Sequence, residues 1–240
     1  MALRDLIDSG EFAPGARLPG ENDLMRDHAV ARATARQALA QLVNWGLAEA
    51  RKGSGIYVRE FRPIVRDGIT RLAAATWPSG VSVWETETQG RDLVVDQVEV
   101  TEADAPERVR LLLGLSDGAA AVLRSRRYVL DGKPVLLSRS WLPATIASGT
   151  PIVQPDPGPG GIYARLADAG RAPTRFREDL RSRMPMPEEA ERLVIAPGTP
   201  VVEICRIALD ADGIPVEVNE MTADSSAYVF RYEFDLPRAR

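Results

Sequence analysis

Residues 30–39 read VARATARQAL. Arg32 and Arg36 stand about one helical turn apart, with alanines and a threonine around them. On a wheel at about 100° per residue, Ala35, Ala38, Leu39 and Leu42 gather on one side, with Val43 at its edge, and predict a core face. Ala33 and Gln37 point the opposite way. Arg32 and Arg36 lie together between those two sides, and Thr34 takes the other flank. Alanines at 31, 33 and 35 keep the leading turn thin. A thin helix end bearing guanidinium donors fits a major groove about 12 Å wide. Arginine can grip a guanine edge or a phosphate through two parallel bonds. Taken alone, the helix reads equally well as an exposed end with two solvated arginines.

The neighbours shift the balance. Upstream, ALRDLIDSG carries apolar Leu3, Leu6 and Ile7 and predicts a helix stopped at Gly10. EFAPGARLPGE is turn-rich. A second helix is expected from Gly20 as N-cap towards His28, with Glu21 and Asp23 in the first turn, where the helix dipole favours acid. The third helix spans residues 32–45 and stops at Gly46. Strands at 48–51 and 56–59 follow, joined by KGSG. Helix, tight turn, Arg-bearing helix and small hairpin make the winged helix-turn-helix plan. The hairpin tip adds Arg51 and Lys52, and Gly53 permits close backbone approach to phosphate or the minor groove.

The chain's 240 residues suit one small and one medium domain, and 45% hydrophobic with 27% charged residues suits a globular protein. No run nears the roughly 18 apolar residues of a membrane helix, and Asp5, Asp8 and Glu11 interrupt any leader core. A cytoplasmic protein with no membrane partner is expected. Residues 1–62 carry 9 basic and 8 acidic side chains, whereas the remainder carries 21 and 26. Residues 31–62 alone hold six basic and two acidic, a local patch suited to a focused polyanion contact. With one cysteine, Cys205, and one histidine, His28, no internal disulfide can form. A Cys/His metal cluster is nearly excluded, and a Ser-His-Asp or Cys-His mechanism would have to use His28, far in sequence from any obvious nucleophile. No catalytic residue, metal or cofactor is expected; Cys205 reads as a buried strand thiol and His28 as a surface imidazole.

Beyond a connector at residues 61–77 with room for one short helix, the pattern repeats. ERVRLLLGLSDGAAAVLRSRRYVLDGKPVLLS begins at Glu107, and EEAERLVIAPGTPVVEICRIALDADGIPVEVN begins at Glu188. Gly118 matches Gly198, Asp131 matches Asp212, and Pro134 matches Pro215. Each copy reads helix, Gly turn, long strand, Asp-Gly turn, strand; Asp-Gly between alternating apolar runs signals a hairpin. Further strands are expected at 93–100, 175–184 and 228–234, and a helix at 162–169. The fold class is therefore α+β: an N-terminal winged helix-turn-helix joined to a domain with one antiparallel sheet and flanking helices.

Residues 7–58 resemble the DNA-binding domain of GntR-type bacterial transcription regulators, through PGxRLPxE, RxTxRxAL, GL and GxGxxV. The rest resembles the UTRA effector-binding domain of the HutC subfamily, which has a chorismate-lyase-like fold. Its carriers are RRYVLDGKPVLLSRSWLP, GGIYARLADAG, GTPVVEICRIALDADGIPVEVN and SSAYVFRYEF. The resemblance implies residues 1–62 as reading domain, 63–77 as linker and 78–240 as effector-binding and dimerisation domain. It implies DNA contacts from Asn22, Arg32, Thr34 and Arg36 and from the wing around Lys52 and Gly53, with Ala33, Gln37 and Arg51 beside them. Three departures stand out. Ala31 replaces a capping serine or threonine, Gly20 replaces a capping serine, and the first helix lacks the usual apolar lead-in.

The resemblance places the effector pocket at Arg126 and Tyr128, Ser138, Gly161 and Tyr163, and Glu217 and Tyr228. Relatives that bind phosphorylated amino sugars commonly have arginine, glutamate and serine at the positions of Tyr128, Ser138 and Gly161. Their loss here argues against a phosphosugar of the usual kind. A helix N-terminus near Arg126 still suits an anionic group, and PDPGPGG leads into that helix. Glu217 and Arg126 read equally as an ion pair on the sheet. The expected function is a homodimeric DNA-binding regulator, a repressor released from an inverted-repeat operator by a small-molecule effector. An enzyme-like second domain and a ligand-independent DNA-binding protein are the other readings.

Overall fold

The computed structural model describes residues 2–60, 64–69, 72, 84, 88 and 90–234. The chain divides into two compact units: residues 1–63 with 184–200, and residues 64–183 with 201–240.

In the first unit, helices α1 (Ala2–Asp8), α2 (Glu21–His28) and α3 (Arg32–Asn44) precede a hairpin of β1 (Ala48–Arg51) and β2 (Gly55–Val58). Gly20 caps α2 in extended conformation, and its N–H donates to Asp23 Oδ2 at 3.1 Å, so the first turn is tied from inside the helix. Ala29, in the left-handed region at φ 53°, makes the tight turn into α3. Ala31 caps α3 with no side-chain bond, which forgoes about 1 kcal/mol relative to a hydroxyl cap. Leu3, Leu18, Leu24, Ala35, Leu39, Leu42, Ala48 and Val58 form the core. Ala38, expected inside, is exposed. It sits about 60° round the wheel from Ala35, at the edge of the apolar arc. There it borders a groove lined by Leu3, His28, Thr34 and Trp45. Residues 15–18 add to the wing: Leu18 N–H donates to Ile56 O at 2.8 Å and Gly15 N–H to Val58 O at 3.0 Å.

The second unit is built on a six-stranded antiparallel sheet of β4 (Leu93–Ala103), β5 (Ala121–Leu130), β6 (Lys133–Pro143), β7 (Arg175–Arg183), β8 (Val201–Leu209) and β9 (Pro215–Asp224), in the order β4-β5-β6-β9-β8-β7. The internal repeat explains that order. Each copy supplies a hairpin, β5–β6 or β8–β9, and the two halves join through β6 and β9. The hairpin turns differ. Asp131 and Gly132 both have positive φ, 48° and 76°, and close a two-residue turn. In the other copy β8 and β9 pair out to Leu209 and Pro215, and the Asp210 carboxylate accepts from the N–H groups of Asp212 and Ile214.

Helix α4 (Glu107–Leu113) sets Val109 and Leu113 against Ala121, Trp141, Cys205, Ile207 and Val218 on one sheet face. On the other face lie α5 (Ala144–Ala147), a 3-10 turn at Pro151–Val153 and α6 (Gly161–Asp168), with two apolar clusters. Helix α7 (Pro187–Leu193) connects β7 to β8 in the chain.

Two expectations need correction. The last strand, β10 (Tyr228–Arg231), does not join the large sheet; it pairs in parallel with β3 (Ile64–Asp67). Both sides of β9 are already bonded to β6 and β8, so the chain leaving β9 must pair elsewhere. Residues 64–67, expected within a linker, are that partner strand. Most of the expected connector helix lies outside the described residues.

Candidate DNA-reading face and effector cleft

The two arginines of α3 are held by consecutive residues of α2. Arg32 donates through an outer guanidinium nitrogen to Asn22 Oδ1 at 3.0 Å. Arg36 donates through Nε and an outer nitrogen to both carboxylate oxygens of Glu21, at 2.7 and 3.2 Å. The pairing holds the Glu21 carboxyl below its usual range and lifts Arg36 above its own. Packing of α2 on α3, with Leu24 in one core cluster with Ala35 and Leu39, brings these side chains together. Arg36 nonetheless keeps 69% of its side-chain surface exposed. Ala33, Thr34 and Gln37 are exposed beside them.

On the wing, Arg51 packs its guanidinium 4.3 Å from the Tyr57 ring centre and donates to Glu49 at 2.9 Å. The Tyr57 and Ser54 hydroxyls meet at 2.7 Å. That leaves Lys52 and Gly53 exposed at the tip. Gly53 (φ 73°) and Gly55 (φ 120°) both need the left-handed side of backbone space.

The second unit holds a cleft of about 820 Å³, large enough for a small organic ligand. Trp84 and Tyr128 form one wall with ring centres 4.3 Å apart; Arg91, Arg126 and the Pro-Gly loop at 155–161 form others. The loop is positioned from beneath by Arg124, whose guanidinium donates to the carbonyls of Ile152, Gln154 and Pro155. Burial, then the neighbouring Arg126 charge, push the Arg124 pKa down to about 10. Gly160 and Gly161, at φ 77° and 66°, turn the loop into α6.

A row of polar residues crosses the same sheet face between the apolar clusters. In register across five strands stand Arg124, Ser140, Asn219, Arg206 and Glu178. The row continues through ion pairs. Arg206 lies 4.0 Å from Glu178 and 3.9 Å from Glu217, Arg66 on β3 meets Glu178 at 2.5 Å, and Tyr163 on α6 donates to Glu217 at 2.6 Å. Ser138 donates to Asn219 Oδ1 at 2.9 Å, and Arg126 donates to Ser140 Oγ at 3.2 Å. Among the described residues, Glu217 Oε1, Asn219 Nδ2 and Arg126 Nε have no hydrogen-bond partner.

Residues 1–58 match the model of bacterial regulatory proteins of the gntR family, and residues 88–229 match the UTRA domain. The HTH-type transcriptional regulator SCO4628 of Streptomyces coelicolor is 31% identical, over 96% of this chain and 89% of its own. The chain belongs to the GntR family of bacterial regulators and carries a UTRA domain. It is thus a DNA-binding transcription regulator. The HTH-type transcriptional repressor NagR of Bacillus subtilis is 24% identical over 97% of this chain and 91% of its own. The crystal structure of PhnF from Mycobacterium smegmatis, 24% identical, superposes with a TM-score of 0.62 over 98% of both chains and shares the fold. Among the described residues, no helix of this regulator is long and apolar enough to cross a membrane.

The expected DNA-side residues Asn22, Arg32, Ala33, Thr34, Arg36 and Gln37 are brought together on one exposed stretch, with Arg51, Lys52 and Gly53 on the wing. The expected effector residues divide. Arg126, Tyr128 and Gly161 line the cleft. Ser138, Tyr163 and Glu217 are buried in the polar row, and Tyr228 is buried in the apolar cluster with Ile64 and Trp84. The open alternative of a Glu217–Arg126 ion pair is not what forms: Glu217 faces Arg206 and Tyr163, and Arg126 faces Ser140. Sequence reasoning missed Glu21, Arg124, Arg66, Arg206 and Glu178. A charged residue in the middle of an otherwise apolar strand, as in EICRIAL, was the signal available.

Proposed function

We propose that this regulator is a homodimeric repressor of the HutC branch, bound to an inverted-repeat operator and released when a small molecule occupies the cleft. The reading rests on one observation above all: two exposed arginines at the start of α3, each tied to the first turn of α2. Two such units in a dimer suit half-sites about one helical turn apart or slightly less. A UTRA unit behind a GntR unit supports the HutC assignment, and the repressor NagR among the relatives supports the direction of control.

In this reading Asn22, Arg32, Thr34 and Arg36 meet the major groove and Lys52 and Gly53 the adjacent backbone. The effector meets Arg126, Tyr128 and the loop at Gly161, and the polar row with Ser138, Tyr163 and Glu217 answers to it. The effector prefers a dimer whose reading units are wrongly spaced, and the connector between the units carries that preference. Ligand binding without turnover fits the placement of Cys205. It is buried beside α4, its thiol pushed up by burial, on the sheet face opposite the cleft.

The test has two steps. A thermal-shift screen of small carboxylates, phosphates and amino acids identifies a ligand that raises the melting temperature. Arg126→Ala is then expected to bind DNA normally and to need far more of that ligand for release. Release at the wild-type ligand concentration would remove Arg126 from the site.

A further inference from the structure

We propose that Glu21 is a specificity-determining residue: it holds Arg36 charge-neutralised and side-on, so that the pair reads a G·C base pair instead of a phosphate. The inference rests on the reading face assigned above and adds to it a residue and the base pair it selects.

The geometry carries the argument. Arg36 spends its Nε–H and one outer N–H on Glu21. A guanidinium has five N–H donors, so three remain, on its two outer nitrogens. Two of them form a fork, and guanine offers the matching pair of acceptors, O6 and N7, in the major groove. The Glu21 oxygens keep unused lone pairs, and cytosine offers an N4 amino donor on the other half of the same pair. Donor fork and acceptor side by side are the complement of G·C. A phosphate approaching Arg36 meets instead a carboxylate whose oxygen lies 2.7 Å from the guanidinium, and the net charge of the couple is zero.

The neighbouring pair is built differently. Arg32 is held by the neutral amide of Asn22, so its hydrogen-bond partner carries no charge to offset its own. Arg32 and the wing-tip Lys52 therefore supply the phosphate attraction, while Arg36 with Glu21 supplies discrimination. Arg36 is exposed and Glu21 half-buried at the surface, and both lie outside the core cluster, so the couple is available to DNA and its substitution spares the core.

The test begins with selection. The wild-type full chain enriches a duplex from a random pool of about 30 base pairs, and fluorescence anisotropy then follows that duplex and its single-pair variants at several salt concentrations. One G·C position is expected to cost roughly tenfold or more on replacement. Glu21→Gln and Arg36→Ala are both expected to flatten that same position. Glu21→Gln is also expected to bind unrelated duplexes more tightly and to steepen the salt slope by about 0.9, the value of one more neutralised phosphate. Glu21→Asp, which keeps the charge, leaves the slope at its wild-type value. A wild-type base profile or a wild-type salt slope for Glu21→Gln would overturn the proposal. Failure of the reading face itself looks different: Arg32→Ala and Arg36→Ala would both bind the enriched duplex like wild type.

Discussion

The two units use the same chemical couple, an arginine and a glutamate, in opposite surroundings. Arg36 and Glu21 pair at the surface, with 69% and 31% of their side chains exposed. Arg206 and Glu217 sit in the sheet interior, with 3% and 0% exposed. An exposed pair adds little to stability, because water solvates either partner alone. That is what leaves the spare donors of Arg36 and the lone pairs of Glu21 open to a base. A buried pair is costly to leave half-made, and removing one partner strands a charge at about 3–5 kcal/mol. The interior pairs therefore hold one arrangement of β3, β7, β8, β9 and α6, whereas the surface pair holds a side chain ready.

That contrast can be broken most severely at Arg206. Arg206→Ala leaves Glu178 and Glu217 without its charge, and urea unfolding should show a loss of roughly 3–5 kcal/mol. A loss below about 1 kcal/mol would mean the row is hydrated and not a rigid link. Next in size, Arg36→Ala should cost about 1–3 kcal/mol of specific DNA binding and almost nothing in folding stability. The binding loss is read by gel shift and the stability by the same urea titration. Equal losses in the two assays would erase the distinction between the units.

Legibility follows the same division. The reading unit announces itself through local rules: Gly10, Gly20 and Gly46 punctuate the helices and glycines shape the wing. The hairpins of the effector unit were equally plain, because Asp-Gly turns and an internal repeat are short-range signals. Contacts between distant segments were not. Glu21 reads as a dipole partner of its own helix, and only the α2–α3 crossing reveals Arg36 across from it. Ala38 looked internal on a wheel that knows nothing of what α1 and α2 cover. Glu217 and Asn219 alternate with Val216 and Val218 as solvent-facing strand positions do, yet both are buried. The parallel pairing of β10 with β3 joins segments about 160 residues apart and has no local signature.

Two smaller effects sharpen the account of the reading unit. Ala31→Ser restores a hydroxyl cap to α3 and should raise stability by about 1 kcal/mol in thermal or urea unfolding. No gain would indicate that the cap geometry at Ala31 cannot use a side chain. The smallest effect is one of acidity. Glu21 has its folded-state pKa lowered by Arg36, so the pair's contribution is complete above the unfolded value near 4.5. It fades as pH falls through the lower folded value. Wild type and Glu21→Gln should therefore converge in stability on acidification, and parallel curves down to the acid limit would show that the carboxylate is not tied to Arg36 in solution.

The most direct test of the central claim, that the start of α3 reads DNA, is anisotropy of the wild type and the Arg32→Ala/Arg36→Ala double variant on one enriched duplex and one scrambled duplex. The account predicts a loss of roughly a hundredfold or more on the enriched duplex, a smaller loss on the scrambled one, and an unchanged melting temperature. Wild-type affinity of the double variant for the enriched duplex would contradict it.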